Sequence, residues 1–516
     1  MAINTNQEFG KFRSWFCPVH KHELKLFLPL VLIFFFICFN YNVLRAAKDS
    51  LVVTAPSSGA EIIPFMKVWV ILPMALVMTI LFTRLANKYT TEKVFYIMMT
   101  LFLGFFALFS FFVYPFRDAL HPHAFADHLE SILPLGLKGF VALIRNWTYT
   151  AFYVMAELWG TTIMTVLFWG FANEILDVKT AKRFYVLILI GGNLSAICAG
   201  AVGTLISSIA GNWTAETVSD PWQYSLMFIS GIVIVSGLFV VGIFKWLFKN
   251  VFHNPQFKDQ VIKDTSVKMG LRNNFKYLAS SKYLLCIATI VLTYNICINL
   301  TEVTWKDQLL HICPQPNDFN AYMNKVTMWV GIVATTIAII TSMTIRKFSW
   351  TWNAMVAPVL LLITGVGFFA FLLMKHTYVG IALAAFFGTT PHIIGVLFGS
   401  MQQSISRGSK YTIFDATKEL AFIPLSKESK LKGKAAIDGI GSRLGKSGSA
   451  IIYQALLMFM GTVAATLPFI AFIMLFVIAA WMIAVSYLGK QFQSLVASNE
   501  LVEIQEAEKT PTQATT

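Results

Sequence analysis

Lys67, Glu157, Glu302 and Lys306 stand inside or at the edge of otherwise apolar runs, in Ile62-Ile-Pro-Phe-Met-Lys-Val-Trp-Val-Ile-Leu, Phe152-Tyr-Val-Met-Ala-Glu-Leu-Trp-Gly and Asn299-Leu-Thr-Glu-Val-Thr-Trp-Lys-Asp. An ionised group there costs at least about 2.5 kcal/mol in hydrocarbon unless it is paired or faces water, so each of these residues needs a reason. Helical spacing gathers them with other polar groups, because residues at i, i+4 and i+7 share one side. Tyr41, Arg45 and Lys48 form one face, Tyr149, Tyr153, Glu157 and Thr161 a second, and Asn295, Asn299, Glu302 and Lys306 a third. For any one of them the plain alternative is an interhelical ion pair or hydrogen bond that only holds a bundle together. Three such faces in one chain point further, to a polar binding site.

The chemistry they suggest is anion binding. Arg45, Lys48 and Lys67, with the basic stretch Lys430-Leu-Lys-Gly-Lys-Ala-Ala through Gly445-Lys-Ser-Gly, outnumber the nearby carboxylates. Arg grips phosphate as a bidentate fork and Lys as a movable point charge, a mixture suited to a polyphosphate that must be both held and released. Tyr149 and Tyr153 offer stacking or hydrogen bonds to a base or sugar. Gly441-Ser-Arg-Leu-Gly-Lys-Ser looks like a phosphate-binding loop, but three residues separate its glycines where the motif needs four. With no preceding strand expected either, it predicts neither a Walker site nor ATP hydrolysis. Lys446 falls instead near the start of a helix, where backbone N–H groups favour anions.

The elements that must position these residues are membrane spans. Of 516 residues, 56% are hydrophobic and 13% charged, against roughly 25% charged in a soluble domain; mean hydropathy is +0.66. Apolar runs near the length of a crossing recur at 25–45, 63–83, 94–115, 147–171, 184–209, 224–247, 283–302, 326–345, 353–374 and 378–403. The stretch from Ala450 to Leu488 holds two more, turning near Pro468. The predicted fold is an all-α polytopic membrane protein of about twelve transmembrane helices in two six-helix bundles, residues 25–248 and 283–489. A basic linker (249–282) joins them, a basic, interfacial N-terminus (1–24, with Phe12, Trp15 and Phe16) precedes them, and a disordered tail (490–516) follows. Chains of this 6+6 type carry their substrate site at the midplane between halves, and a faint echo links Asn40-Tyr41 through Lys48-Asp49 to Tyr294-Asn295 through Lys306-Asp307. With both termini cytoplasmic, about 30 of the 40 Lys and Arg residues lie on the cytoplasmic side, against about eight opposite. Cys17, Cys38, Cys198, Cys286, Cys297 and Cys313 have no metal-ligand spacing and are read as packing residues.

The chain resembles the ATP/ADP antiporter family of obligate intracellular bacteria and plastids over nearly its whole length. The resemblance rests on Asn40-Tyr-Asn-Val-Leu-Arg-Ala-Ala-Lys-Asp, Ser58-Gly-Ala-Glu-Ile-Ile-Pro-Phe, Met155-Ala-Glu-Leu-Trp-Gly, Phe168-Trp-Gly-Phe-Ala-Asn-Glu, Ile298-Asn-Leu-Thr-Glu-Val-Thr-Trp-Lys, Lys432-Gly-Lys-Ala-Ala-Ile-Asp and Gly445-Lys-Ser-Gly. It implies a major-facilitator-like fold that moves nucleotides by alternating access, with Lys67, Glu157, Glu302 and Lys446 as the charged residues that matter for transport. These coincide with residues singled out above on physical grounds. The chain departs from the pattern at Leu44-Arg-Ala-Ala-Lys-Asp, where exchangers usually read Leu-Arg-Asp-Thr-Lys-Asp, and so lacks one carboxylate.

The expected activity is therefore nucleotide exchange of the ATP/ADP type in a bacterial inner membrane, with proton-coupled import of nucleoside triphosphates as the alternative. In that alternative Glu157 or Glu302 carries the proton. The substrate-binding set is Arg45, Lys48, Lys67, Tyr149, Tyr153, Glu157, Asn295, Asn299, Glu302, Lys306 and Lys446. The expected partners are the nucleotide, protons in the symport alternative, and the lipid bilayer, with no nucleic acid and no cofactor. An intramembrane transferase using Glu157 and Glu302 as acid and base is the distant competitor, and the sequence shows no carboxylate cluster of the kind such an enzyme uses to hold a metal.

Overall fold

The computed structural model describes residues 19–176, 178–213, 218–252, 281–425 and 442–498, together with Gly433 and Ile437. The interfacial segment around Phe12, Trp15 and Phe16, most of the basic linker, the basic stretch from Lys430 to Gly441, and the tail from residue 499 lie outside the described residues.

Ten helices among the described residues are long and apolar enough to cross a membrane. They are α1 (Leu24–Val53), α2 (Ile62–Lys88), α3 (Thr91–Leu120), α4 (Trp147–Ile175), α5 (Arg183–Gly211), α6 (Pro221–Val251), α7 (Lys282–Ile312), α8 (Pro316–Thr341), α9 (Trp350–Leu373) and, last in the chain, α12 (Val463–Leu495). A further apolar helix pair, α10, is bent by 72° between Tyr378–Phe386 and Pro391–Ser409, the geometry of a broken span or a re-entrant loop. In the remaining expected position stands α11 (Ser442–Met460), whose apolar part, Ser447–Met460, rises about 21 Å against roughly 30 Å of hydrocarbon.

Local chemistry sets several starts. Asp220 caps α6, accepting from the N–H groups of Trp222 and Gln223 with Pro221 in the first turn, and Thr90, Ser349 and Thr390 cap α3, α9 and the second part of α10. The break before α12 comes not near Pro468 but at Gly461, whose φ of 81° suits glycine, and Pro468 lies inside the helix.

Hydropathy also cut several spans short. α1 runs on past residue 45 to Val53, α7 past 302 to Ile312, and α8 begins at Pro316 rather than 326. In each case some of the polar residues that lowered the hydropathy are buried and bonded within the fold, Lys48 in α1, Lys306 in α7 and Asn320 in α8 among them. In α8, Asn317 accepts from Ser225 Oγ (2.6 Å), while Asn320 donates to Ser207 (2.7 Å) and accepts from Ser50 (3.2 Å). Such bonds join membrane helices that have no hydrophobic drive toward one another.

The chain divides into two compact units, Met1–Lys263 with Leu309–Thr335 and Asp264–Gln308 with Thr336–Thr516. In the first, α1 packs against α4, α5 and α6, burying Leu30, Ile33, Ile37 and Leu44 at helical spacing. Small residues let α5 meet the first part of α8: a Cβ on Gly200 would lie 2.5 Å from the Asn324 carbonyl oxygen, and one on Gly331 would lie 2.8 Å from that of Asn193. In the second unit, α9 packs against the second part of α10 and α12. Outward faces are apolar instead of polar, with Leu76 and Ile80 of α2 and Phe472 and Phe476 of α12 exposed, as a lipid environment requires.

Gly200→Leu is therefore expected to force α5 from α8, at a cost of about 1–3 kcal/mol. A thermal unfolding scan of the purified protein should show a lowered midpoint, whereas Gly231→Leu, whose Cβ meets nothing within 4 Å, should leave it unchanged.

Candidate functional site

In the first unit the faces of α1 and α4 meet at Lys48. Its Nζ lies 3.2 Å from Asp49 Oδ1, 3.2 Å from Glu157 Oε2 and 3.6 Å from the centre of the Tyr153 ring. Two carboxylates and an aromatic face thus hold one cation that is almost fully buried, which is how an ammonium becomes tolerable in a low-dielectric interior. Glu157 is the more open partner, its side chain 35% exposed.

The residues after Glu157 explain the approach. Trp159 Nε1 donates to the Ile37 carbonyl (3.0 Å), and a Cβ on Gly160 would meet the Tyr41 ring at 2.7 Å. From Trp159 to Phe168, α4 is π-helical, and a second π-helical segment, Met66–Ile71 of α2, carries the half-buried Lys67. Such wide turns inside membrane helices frequently accompany functional sites. Asn40 ties α1 to α6, donating to the Val233 carbonyl (3.1 Å) and accepting from Ser236.

In the second unit Glu302 Oε1 accepts from two cations, Lys306 Nζ at 2.8 Å and Arg407 of α10 at 2.7 Å. The neighbouring motif residues position them. Thr304 bonds Tyr453 of α11 (3.0 Å), Trp305 donates to Ser400 of α10 (3.1 Å), and Gly399 is small enough for α10 to pass over the Trp305 ring. Arg407 is followed by another π-helical segment, Lys410–Phe414. Each unit therefore buries a Lys-Asp dipeptide whose lysine meets a glutamate, the chemical content of the faint sequence echo.

The other expected site residues divide. Tyr153 belongs to the Lys48 cluster, and Arg45 is half-buried on the same helix. Tyr149 does not join that cluster: eight residues before Glu157, about 12 Å along the helix, it packs against Tyr114 and His121. Burial and the neighbouring His123 push His121 down to about 4, and its Nε2 lies 2.6 Å from Thr148 Oγ1. Asn295 and Asn299 turn their amide groups back to the carbonyls of Val291 and Asn295, one turn earlier. Gly445 of α11 approaches Asn295, where a Cβ would stand 2.8 Å from the asparagine Cβ. The side chain of Lys446, the next residue, lies outside the described residues. Sequence reasoning gave no role to Asp49, although it carried the same burial cost as Lys48, and none to Arg407, because hydropathy ended that span at 403 when the helix continues to Ser409.

Long apolar helices around paired buried charges define a polytopic membrane protein. Solved structures with this fold include a bacterial homologue of the iron transporter ferroportin in an inward-facing state (TM-score 0.52, 12% identity, covering 92% of this chain and 99% of that one). Another is a D-xylose-proton symporter (TM-score 0.50, 12% identity, 88% and 97%). The fold is thus major-facilitator-like. The chain matches the TLC ATP/ADP transporter family over residues 3–492 and belongs to it. It is 45% identical over 511 residues to ADP,ATP carrier protein 1 of Chlamydia pneumoniae, covering 98% of each chain. It is 40% identical over 478 residues to the chloroplastic ADP,ATP carrier protein 1 of Arabidopsis thaliana, covering 93% of this chain and 76% of that one.

Glu302→Gln is expected to leave Lys306 and Arg407 facing each other without their shared carboxylate, costing about 3–5 kcal/mol. Thermal unfolding should show a large drop in midpoint, and adding Lys306→Met should restore part of it.

Proposed function

We propose that this chain exchanges ATP for ADP across a bacterial inner membrane, with both termini on the cytoplasmic side. The observation that carries this reading is the pair of cations that share Glu302 Oε1: the Lys306 ammonium and the Arg407 guanidinium converge on one point as charged donors of the kind a polyphosphate accepts from. Arg45, Lys67 and Lys446 extend the set of phosphate-binding cations, and Lys48 is released to the substrate when Glu157 lets go of it. Tyr153 and the asparagine face of α7 contact the rest of the nucleotide. Family membership and the names of the bacterial and plastid relatives support the substrate; the Lys and Arg distribution supports the orientation. No step requires a hydrolysed phosphate, so transport proceeds by alternating access without ATPase chemistry.

A second reading, proton-coupled nucleotide import, is favoured by one observation: Glu157 shares Lys48 with Asp49 and, with its side chain 35% exposed, is open enough to exchange a proton. Proteoliposomes discriminate. Labelled ATP should enter vesicles preloaded with ADP and stay out of empty ones, and a proton gradient should not substitute for internal nucleotide. Accumulation in empty vesicles under an inward proton gradient, lost in Glu157→Gln, would replace exchange by symport. Lys67→Ala should lower exchange by roughly tenfold, the worth of one charge-assisted hydrogen bond, whereas the exposed Lys88→Ala should not.

A further inference from the structure

A groove of about 640 Å³ indents the first unit between α1 and α6, lined by Leu28, Leu32, Val235, Phe239, Gly242 and Trp246 among others. Its volume falls in the range of about 300–1,000 Å³ usual for small-molecule sites. The lining side chains are apolar and on the outward side of membrane-spanning helices, with Leu28, Val235 and Phe239 more than half exposed, so what fills the groove is hydrocarbon.

One end of the groove has a different chemistry. Lys25 stands one turn before Leu28 on α1, Lys245 and Lys249 flank Trp246 on α6, and all three lysines are exposed. Trp246 has the amphipathic ring that settles at head-group depth. Glu23, two residues before Lys25, is paired with Arg183 at 2.5 Å, and among the described residues no ion pair holds Lys25. An apolar slot closed by lysines at the membrane surface matches one component of a bilayer, a lipid with a negative head group. A second copy of the chain meeting this face by two-fold symmetry would set the same lysines against each other.

We propose that the groove binds an anionic phospholipid, with an acyl chain between α1 and α6 and the phosphate on Lys25 and Lys249. The lipid braces the two helices that Asn40 pins together through Val233 and Ser236 deeper in the membrane. This site is separate from the buried charges and does not depend on which nucleotide is carried.

Native mass spectrometry of the purified full chain, released from micelles containing equal phosphatidylglycerol and phosphatidylcholine, tests the assignment. Phosphatidylglycerol should be retained in preference, and Lys25→Gln and Lys249→Gln should each weaken its retention about fivefold. Gly242→Phe should abolish the adduct while preserving the fold, since a Cβ there meets nothing within 4 Å. Lys88→Gln, on another helix, should change nothing. Equal retention of the two lipids, unchanged retention in Gly242→Phe, or a dimer that Gly242→Phe dissociates would overturn the proposal.

Discussion

Glu302 accepts hydrogen bonds from Lys306 and Arg407 through one oxygen, and the rest of the second unit is arranged so that it can. A carboxylate and two cations inside apolar helices are tolerable only when geometry keeps them together, because removing the carboxylate leaves two cations in a medium that cannot solvate them. The requirement fixes the length of α7, which must stay helical through Lys306, and of α10, which must reach Arg407. It also fixes their separation, set by the Trp305–Ser400 bond and by Gly399. The first unit meets the same requirement differently: Lys48 draws one carboxylate from its own helix and one from α4, and Trp159 and Gly160 close the gap.

Such networks are poor sources of stability, since well-packed apolar residues do as well or better. Their value here is that they can be rewired. On the proposed exchange, a polyphosphate reaching Lys306 and Arg407 would supply oxygens in place of those of Glu302, so that binding and release exchange partners for the cations instead of stranding them. A site that is comfortable only when its charges are balanced links what is bound to which conformation is accessible, the requirement of any exchanger. π-Helical segments carry Lys67 and follow closely after Glu157 and Arg407, and such segments are frequent at functional sites.

The helices were legible in the sequence because a run of about twenty apolar residues has few other uses. Their ends were not. Hydropathy scores a residue alone, so it closed α1 before Lys48, α7 at Glu302 and α10 before Arg407, just where pairing lets a charged helix continue. The same blindness passed over Arg407, while Lys48, Glu157, Glu302 and Lys306 stand out as charges because they sit within or beside long apolar runs. Tyr149 shows the limit of face arithmetic: it shares a stripe with Glu157, yet two turns of helix carry it to the Tyr114–His121 cluster. The turn at Gly461 was masked by a more conspicuous Pro468, which lies inside α12.

The central claim is that buried cations, more than any reader of the base, hold the substrate. Calorimetric titration of the purified protein with adenosine, AMP, ADP and ATP measures this directly. Affinity should rise with each phosphate, and Arg407→Gln should weaken ATP binding far more than adenosine binding. Adenosine binding as tightly as ATP, or an Arg407→Gln variant that weakens both equally, would contradict the account.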